Sequence, residues 1–238
     1  MENIEKIFNN FFLGLDLNKI RTSIKKNGFS TLGEIQSNDY CDSVRKIIDS
    51  LSDNDGVEHN FDESEHRIWK AHEKSDLINY FFDFSNQVIS STIEKQSIAN
   101  DILAIRNFQL PNKSSSNING RWHMDSFNHQ LKIFLFLKDV NLSNGPLEII
   151  PGTQRLNFKL KSLCKGYVFS LSNFLSSNGE REYQKINDNY IEFLIENGFK
   201  VNSFTITKGT VVIVDTSALH RAKPCIGGSR YALTSYYE

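Results

Sequence analysis

The change of hydrophobic period near residue 100 is the feature that most constrains the fold. Before it, apolar residues recur at helical spacing, and after it short apolar runs are separated by turns rich in Gly and Pro. The stretch from Leu131 to Val140 alternates, with Ile133, Leu135 and Leu137 on one side of the predicted strand. Short alternating strands joined by tight turns are typical of a β-sandwich or barrel. The second half of the chain is therefore predicted to be a β-rich core.

The pattern divides the chain into a helical part, residues 1–100, and a core with an insertion, residues 101–238, which we expect to form a single domain. Helices are predicted from Ile4 to about Ile24 with breaks at Gly14 and Gly28, from Asp39 to Leu51, and from Asp76 to about Ile93. Strands are predicted at Asp101 to Leu110, Leu131 to Val140, Leu147 to Ile150, Val201 to Ile206, Thr210 to Val214 and Tyr231 to Tyr237. Residues 155–204 fit a strand pattern poorly, and only Tyr183 to about Ile195 indicates a helix, so this insertion is interpreted as a lid or substrate-shaping region.

Charge and cysteine content narrow the classes of function. The 27 Lys and Arg residues are balanced by 28 Asp and Glu residues, so no global field attracts nucleic acid or an anionic membrane. The three cysteines, Cys41, Cys164 and Cys225, are odd in number and widely separated, which argues against a disulfide framework or a structural zinc site. We expect no secretory signal and no membrane span, and a cytoplasmic location.

Trp122-His123-Met124-Asp125 carries the strongest chemical signal. Residues two apart point to the same side of an extended chain, so one metal ion could touch both His123 and Asp125. Such an ion needs a third protein ligand, and His220 is the best candidate on later strand-like sequence. Two histidines and one carboxylate on one face of an ion are the arrangement of non-haem Fe(II) oxygenases.

The remaining histidines are less suited to ligand roles. His59, His66 and His72 lie in polar or helical sequence and are interpreted as ordinary surface or capping residues. His129 lies near the motif, but its spacing is wrong for a partner on the same face as His123. It is therefore predicted to be structural or to support the site indirectly.

Two sequence blocks resemble the phytanoyl-CoA dioxygenase-like family of 2-oxoglutarate enzymes. The first runs from the Trp122 to Asp125 motif through Leu131 to Val140 to the turns Asn144-Gly145-Pro146-Leu147 and Pro151-Gly152-Thr153. The second runs from Lys208-Gly209-Thr210 through Asp215 and Leu219-His220-Arg221 to Gly228-Ser229-Arg230-Tyr231. Together they cover about residues 100–154 and 200–238, and the helical part and the insertion match no motif.

The resemblance implies a double-stranded β-helix, or cupin-like jelly roll, with N-terminal helices packed on one sheet. It implies Fe(II) bound by His123, Asp125 and His220, with 2-oxoglutarate and O2 as cosubstrates. Arg230 follows His220 at the family's position for the basic residue that holds the distal carboxylate of 2-oxoglutarate, and a guanidinium suits a carboxylate geometrically. Lys132 and Arg106 are equal candidates for a second polar anchor of the cosubstrate or substrate, and a plain ion pair is the alternative for both.

Two positions depart from the family pattern. Gln154 stands where a His commonly follows Pro-Gly-Ser/Thr, which leaves the iron ligands intact and puts only local packing or substrate contact in doubt. Ala222 stands two residues after the distal ligand, where some members carry a Ser that binds the cosubstrate. That contact must come from elsewhere or be missing.

The leading hypothesis from the sequence is a dioxygenase that hydroxylates a small-molecule metabolite and releases succinate and CO2. Asp125 supports hydroxylation, since related halogenases replace this carboxylate by a small residue to make room for chloride. The alternative is a catalytically silent jelly-roll protein that binds a metal, such as zinc, or another ligand. A protein or nucleic-acid hydroxylase or demethylase finds little support in the balanced charge. Nothing in the sequence distinguishes a monomer from a dimer.

Overall fold

The structure is a computed structural model that describes residues 3–52, 58–59, 64–93, 99, 101–110, 120–165 and 186–237. Its helices are α1 (Ile4–Leu13), α2 (Leu17–Asn27), α3 (Asn38–Ser52), α4 (Asp76–Thr92), α5 (Leu156–Lys165) and α6 (Asp188–Glu196), with a short 3-10 helix at Ala71–Lys74. Its strands are β1 (Phe29–Glu34), β2 (Glu58–His59), β3 (Glu65–Ile68), β4 (Ile102–Phe108), β5 (Leu131–Phe136), β6 (Leu147–Ile149), β7 (Asn202–Ser203), β8 (Thr210–Asp215), β9 (His220–Ala222) and β10 (Ser229–Tyr237).

Two antiparallel sheets form the core. The large sheet has the strand order β1-β8-β5-β10-β4-β3-β2, and the small sheet has the order β7-β6-β9. Because successive strand residues point to opposite faces, each central strand of the large sheet contributes to two apolar layers. Val211 and Ile213 of β8 belong to the layer shared with the N-terminal helices. Val212 and Val214 belong to the layer shared with β6 of the small sheet.

The N-terminal helices begin and end where the sequence supplies caps. The side chain of Asn3 accepts a hydrogen bond from the backbone N of Lys6, and that of Asp16 accepts one from Lys19, which satisfies free amides at the starts of α1 and α2. Gly28 ends α2 in the left-handed region, with φ of 83°, and turns the chain directly into β1. The predicted breaks at Gly14 and Gly28 are confirmed, and the helices cover the outer face of the large sheet.

The part before residue 100 is more than helical. It also supplies β1, which pairs with β8, and β3, which pairs with β4, so the large sheet extends beyond the predicted jelly-roll strands on both sides. The sequence did not indicate these strands, because β1 contains Ser, Thr and Gly, and β3 carries three polar residues out of four.

The insertion also differs from its prediction. The structure shows α5 where no helix was assigned, and α6 begins five residues after the predicted start at Tyr183. Residues 166–185 of the predicted lid lie outside the described residues. Among the helices of the described part of the chain, none is both long and apolar enough to cross a membrane.

Candidate metal centre

Side chains from two segments of the chain converge between the two sheets. One potential ligand atom each of His123, Asp125 and His220 lies within 4.8 Å of the other two. The Nε2 atoms of His123 and His220 are each 3.6 Å from a different oxygen of Asp125. The structure therefore brings together the three residues that the sequence singled out as ligands.

Backbone hydrogen bonds explain how residues so far apart in the chain meet. His123 and His220 exchange two N–H···O=C bonds of 3.0 Å each, in an isolated antiparallel bridge. The backbone N of Asp125 donates to the carbonyl oxygen of Thr216, also at 3.0 Å. The motif thus lies in an extended segment outside the named strands, and the loop before β9 is bonded to it directly.

The second nitrogen of each imidazole fixes the orientation of its ring. His123 Nδ1 lies 2.8 Å from the carbonyl oxygen of Arg121, and His220 Nδ1 lies 3.0 Å from that of Ala218. A carbonyl oxygen only accepts, so in each ring Nδ1 must be the donor. The Nε2 lone pairs are then left for a metal, with the ring held as in established histidine metal sites.

The ionisation of the three groups suits a divalent cation. Burial, reinforced by the neighbouring His123, lowers the pKa of His220 to about 4. Burial also lowers the pKa of His123. Burial alone would raise the pKa of Asp125, but Lys132 and the two imidazoles outweigh it and hold this pKa well below its usual range. At neutral pH the set is two neutral imidazoles and one carboxylate, which fits Fe(II) and similar ions.

Lys132 lies beside this cluster, on the face of β5 opposite Ile133, as the alternation predicts. Its Nζ is 2.7 Å from Asp125 Oδ2 and 4.3 Å from the ring centroid of Tyr236. Burial raises the pKa of Tyr236, so its hydroxyl stays protonated and can donate a hydrogen bond. Lys132 is thus placed to reach an anion bound at the cluster.

Arg230 occupies a separate buried pocket on the same face of β10 as Tyr236. Its Nη2 donates to Asn107 Oδ1 at 2.7 Å, and Asn107 Nδ2 donates to Glu65 at 2.6 Å. Among the described residues, Arg230 Nη1 has no hydrogen-bond partner although it is buried. A buried donor without a partner costs free energy, so this atom fits the role of holding a carboxylate that is bound from outside.

Arg106 is not brought to the centre. It neighbours Asn107 on β4 and therefore points to the opposite face of the sheet. There its Nη1 lies 3.3 Å from Asp49 of α3, and its guanidinium lies 5.7 Å from the ring centroid of Tyr231. Of the two candidates for a second polar anchor, only Lys132 lies on the face of the metal cluster.

The sequence missed the contribution of β3. Glu65 and Arg67 lie on the same face of that strand, and Glu65 joins Arg67 and Asn107 through its two oxygens. Trp69 follows directly, with its ring centroid 5.9 Å from that of Tyr236. The sequence contained no usable signal, because three of the four residues of β3 are polar and no alternation marks the face that the strand presents.

A hydrogen-bond network joins α5 to the loops next to Asp125 and His220. The Nζ of Lys159, on α5, donates to the carbonyl oxygen of Phe127 at 2.6 Å and to Ser217 Oγ at 2.8 Å. Ser217 Oγ in turn donates to Asp215, whose other oxygen pairs with His129 Nδ1. Lys159 therefore links α5 to the loop after Asp125 and to the loop before His220, and His129 contacts this network through Asp215 and lies outside the metal cluster.

The two departures from the family pattern have local explanations. Gln154 Oε1 accepts from the backbone N of Gly152 at 2.8 Å, and its Nε2 donates to the carbonyl of Lys25 at 3.3 Å, so Gln154 joins the turn to the end of α2. Ala222 pairs with Leu147 in the small sheet. Of the other histidines, His66 packs against Phe108, and His72 stacks on Phe82.

Comparisons with known proteins give a fold but no sequence family. No protein-family model matches the sequence. No curated protein matches it either. The chain resembles the solved epimerase SnoN in complex with Fe3+, alpha-ketoglutarate (2-oxoglutarate) and nogalamycin RO, with a TM-score of 0.67 and 10% identity over 93% of this chain and 82% of SnoN.

Two further solved structures agree. EctD from S. alaskensis with bound Fe gives a TM-score of 0.63 and 16% identity, covering 92% of this chain and 75% of EctD. HygX from Streptomyces hygroscopicus with nickel, 2-oxoglutarate and hygromycin B gives 0.61 and 12%, covering 92% and 86%. The predicted jelly-roll fold is confirmed by this likeness.

Proposed function

We propose that this chain is an Fe(II)- and 2-oxoglutarate-dependent dioxygenase that hydroxylates a small-molecule metabolite. The observation that carries the proposal is the pairing of a two-histidine, one-carboxylate cluster with a buried arginine that has an uncommitted donor on the same side of the large sheet. A protein that merely held a metal ion would have no use for that donor. The likeness to enzymes solved with iron and 2-oxoglutarate supports the same function.

Each residue has a distinct task in this proposal. His123, Asp125 and His220 hold the ion, and their fixed Nδ1 bonds keep the imidazoles aimed at it. Arg230 binds the distal carboxylate of 2-oxoglutarate, and Lys132 neutralises negative charge near the ion. When bound, the ion and its cosubstrate supply the oxidising chemistry, in which substrate, O2 and 2-oxoglutarate give hydroxylated substrate, succinate and CO2. The surrounding apolar layers exclude water from the reaction.

A different outcome of the same oxidation is the second candidate. SnoN is an epimerase, and SnoK, at a TM-score of 0.62, is a non-heme alpha-ketoglutarate-dependent carbocyclase. Epimerisation and ring closure change the substrate without adding oxygen to it. Once a substrate is found, a product heavier by one oxygen atom would establish hydroxylation. A product with the mass of the substrate, or with fewer hydrogen atoms, would favour the second candidate.

The first experiment needs no substrate. Fe(II) and 2-oxoglutarate are added to the protein without oxygen, and the weak visible charge-transfer band is recorded; on admission of air, succinate is measured. We expect the band and a slow uncoupled release of succinate. Their joint absence, with zinc bound tightly at the same three residues, would instead support the silent binding protein.

A further inference from the structure

A pocket of about 660 Å³ lies between the C-terminal end of α2, the helices α5 and α6, and the turn that follows β6. Its volume is in the range of sites that hold a drug-sized molecule. Charged and aromatic side chains line it together, and no residue of the metal cluster borders it. The pocket therefore has the size of a ligand site and is not part of the candidate centre.

The metal-binding motif lies between this pocket and the metal cluster. Neighbouring side chains of an extended segment point to opposite sides, so Trp122 and Met124 face away from the two ligands of the motif. Both are buried in an apolar cluster that includes buried residues of α6. Phe158, Tyr190 and Phe199 pack against that cluster and also line the pocket. An apolar layer thus separates the two sites.

Positive charge dominates the rim of the pocket. Four cations line it, and no carboxylate does so in the part of the chain that the structure describes: Lys26, Arg155, Lys161 and Lys200. Arg155 donates to the carbonyl oxygen of Lys26 at 3.0 Å. Within the described ranges, none of the four cations forms an ion pair. Like charges gathered in one concavity repel each other and attract an anion.

The carboxylates and helix ends near the pocket do not cancel this charge. Asp188, Glu192 and Glu196 recur every four residues and share one side of α6, whereas Tyr190 and Phe193 lie on the side that lines the pocket. The sequence of α5 contains no acidic residue. A helix end carries about half a charge, negative for α2 and α6 here and positive for α5, so an excess of about three positive charges remains.

Aromatic rings form the apolar side of the pocket. Phe158 and Phe199 meet edge to face with ring centroids 5.6 Å apart, and Tyr190 and Phe193 are stacked at 6.2 Å. Ser162, which is buried, shares a hydrogen bond of 3.1 Å with the hydroxyl of Tyr190 and so fixes that ring. Phe193 is 44% exposed and offers its ring to a ligand. Aromatic rings beside cations are the means by which proteins hold bases and phosphates.

A ligand that suits both sides of the pocket must carry a flat ring and several negative charges. An inorganic anion would leave the rings in water, and an uncharged ring would leave the cations without a counter-charge. We propose that this pocket is a second binding site, for a nucleotide whose base stacks on the rings and whose phosphates pair with the cations. The proposal is independent of the proposed function, because the pocket contains none of the metal ligands.

Titration calorimetry of the full chain, freed of metal ions by a chelating resin, tests the ligand class. ATP, GTP, CTP and UTP are compared with their nucleosides and with inorganic tripolyphosphate. At least one nucleotide should bind about tenfold tighter than its nucleoside, the effect of charge-assisted hydrogen bonds. The same nucleotide should bind about fivefold tighter than tripolyphosphate, because its base stacks. If no nucleotide binds tighter than both its nucleoside and tripolyphosphate, the proposal is wrong.

Variants assign the binding to the pocket. Lys161→Gln combined with Lys200→Gln should weaken the nucleotide by about tenfold or more, and Phe193→Ala should weaken it by about fivefold while tripolyphosphate is unaffected. Lys46→Gln combined with Lys74→Gln is the matched control, since both of these lysines are exposed and lie outside the pocket. Equal losses in the two double variants would mean non-specific attraction of a polyanion. Wild-type affinity in both pocket variants would place the nucleotide elsewhere, and either result overturns the proposal.

Discussion

The metal cluster and the pair Arg67 and Trp69, which we call the β3 wall, are built in opposite ways. The cluster side chains of His123, Asp125 and His220 are 15%, 10% and 6% exposed, and backbone bonds between their segments hold them. Arg67 and Trp69 are 30% and 38% exposed, and they come from a four-residue strand and the turn after it, in the part of the chain that precedes the core.

This difference separates residues that must keep one geometry from residues that can change. A ligand set must keep one geometry, so it is placed where the core determines every position. The β3 wall belongs to an added strand and the turn after it, so its side chains can be altered while the core stays intact. We therefore expect substitutions in the cluster to abolish iron-dependent turnover and substitutions in the wall to leave Fe(II) binding unchanged.

The sharpest test of the cluster is removal of a ligand. His220→Ala and His123→Ala should each reduce iron-dependent succinate release to background. Each should also reduce Fe(II) affinity on the order of 100-fold or more, because the two ligands that remain cannot hold the ion firmly. Metal analysis and succinate assays measure this, and circular dichroism should show an unchanged fold. Retention of Fe(II) binding by both variants would refute the assigned centre.

Arg230 should show an effect confined to the cosubstrate. Arg230→Gln should raise the 2-oxoglutarate KM by about 30- to 100-fold, since a charge-assisted contact is lost, while Fe(II) affinity changes little. Arg106→Gln is the matched control, because Arg106 points to the opposite face of the sheet and pairs with Asp49. An equal rise in both variants would mean that the effect is structural.

Lys159 should act on the metal from a distance. Lys159→Met removes the ammonium that bonds to Phe127 and Ser217 and should weaken Fe(II) binding by about tenfold, the low end for groups that position metal ligands. Lys161→Met changes an exposed lysine on the same helix and should leave the affinity unchanged. Competition with a coloured chelator measures the Fe(II) affinity of both variants. Identical affinities in Lys159→Met and Lys161→Met would show that α5 does not support the centre.

The smallest effect is expected for the contribution of the β3 wall to the free energy of unfolding. Trp69→Ala should lower the free energy of unfolding by less than about 1 kcal/mol, because the ring is partly exposed already. Leu135→Ala, at a fully buried position of the large sheet, should lower it by about 2–5 kcal/mol. Urea unfolding measures both. If Trp69→Ala lowered the free energy of unfolding as much as Leu135→Ala, the view that the wall is an addition to the fold would be contradicted.

The sequence predicted the parts of the molecule in which one periodicity and one motif agree. The alternation around Ile133 and the spacing of His123 and Asp125 follow from the geometry of an extended chain. Most core strands and the candidate ligand set could therefore be predicted from the sequence. The face on which Arg106 lies could not be predicted, because its strand has apolar residues on both sides and its pattern does not show which side meets the helices. β3 was missed because three of its four residues are polar, so it carries no apolar stripe.

The backbone bridge between His123 and His220 has a consequence for the synthesis of the protein. As the ribosome releases the chain, His123 and Asp125 appear long before His220, and β9 and β10 emerge after the other strands described above. A nascent chain therefore carries an incomplete site with weak hold on any ion. We therefore expect a metal ion to bind firmly only after β9 has paired with β6.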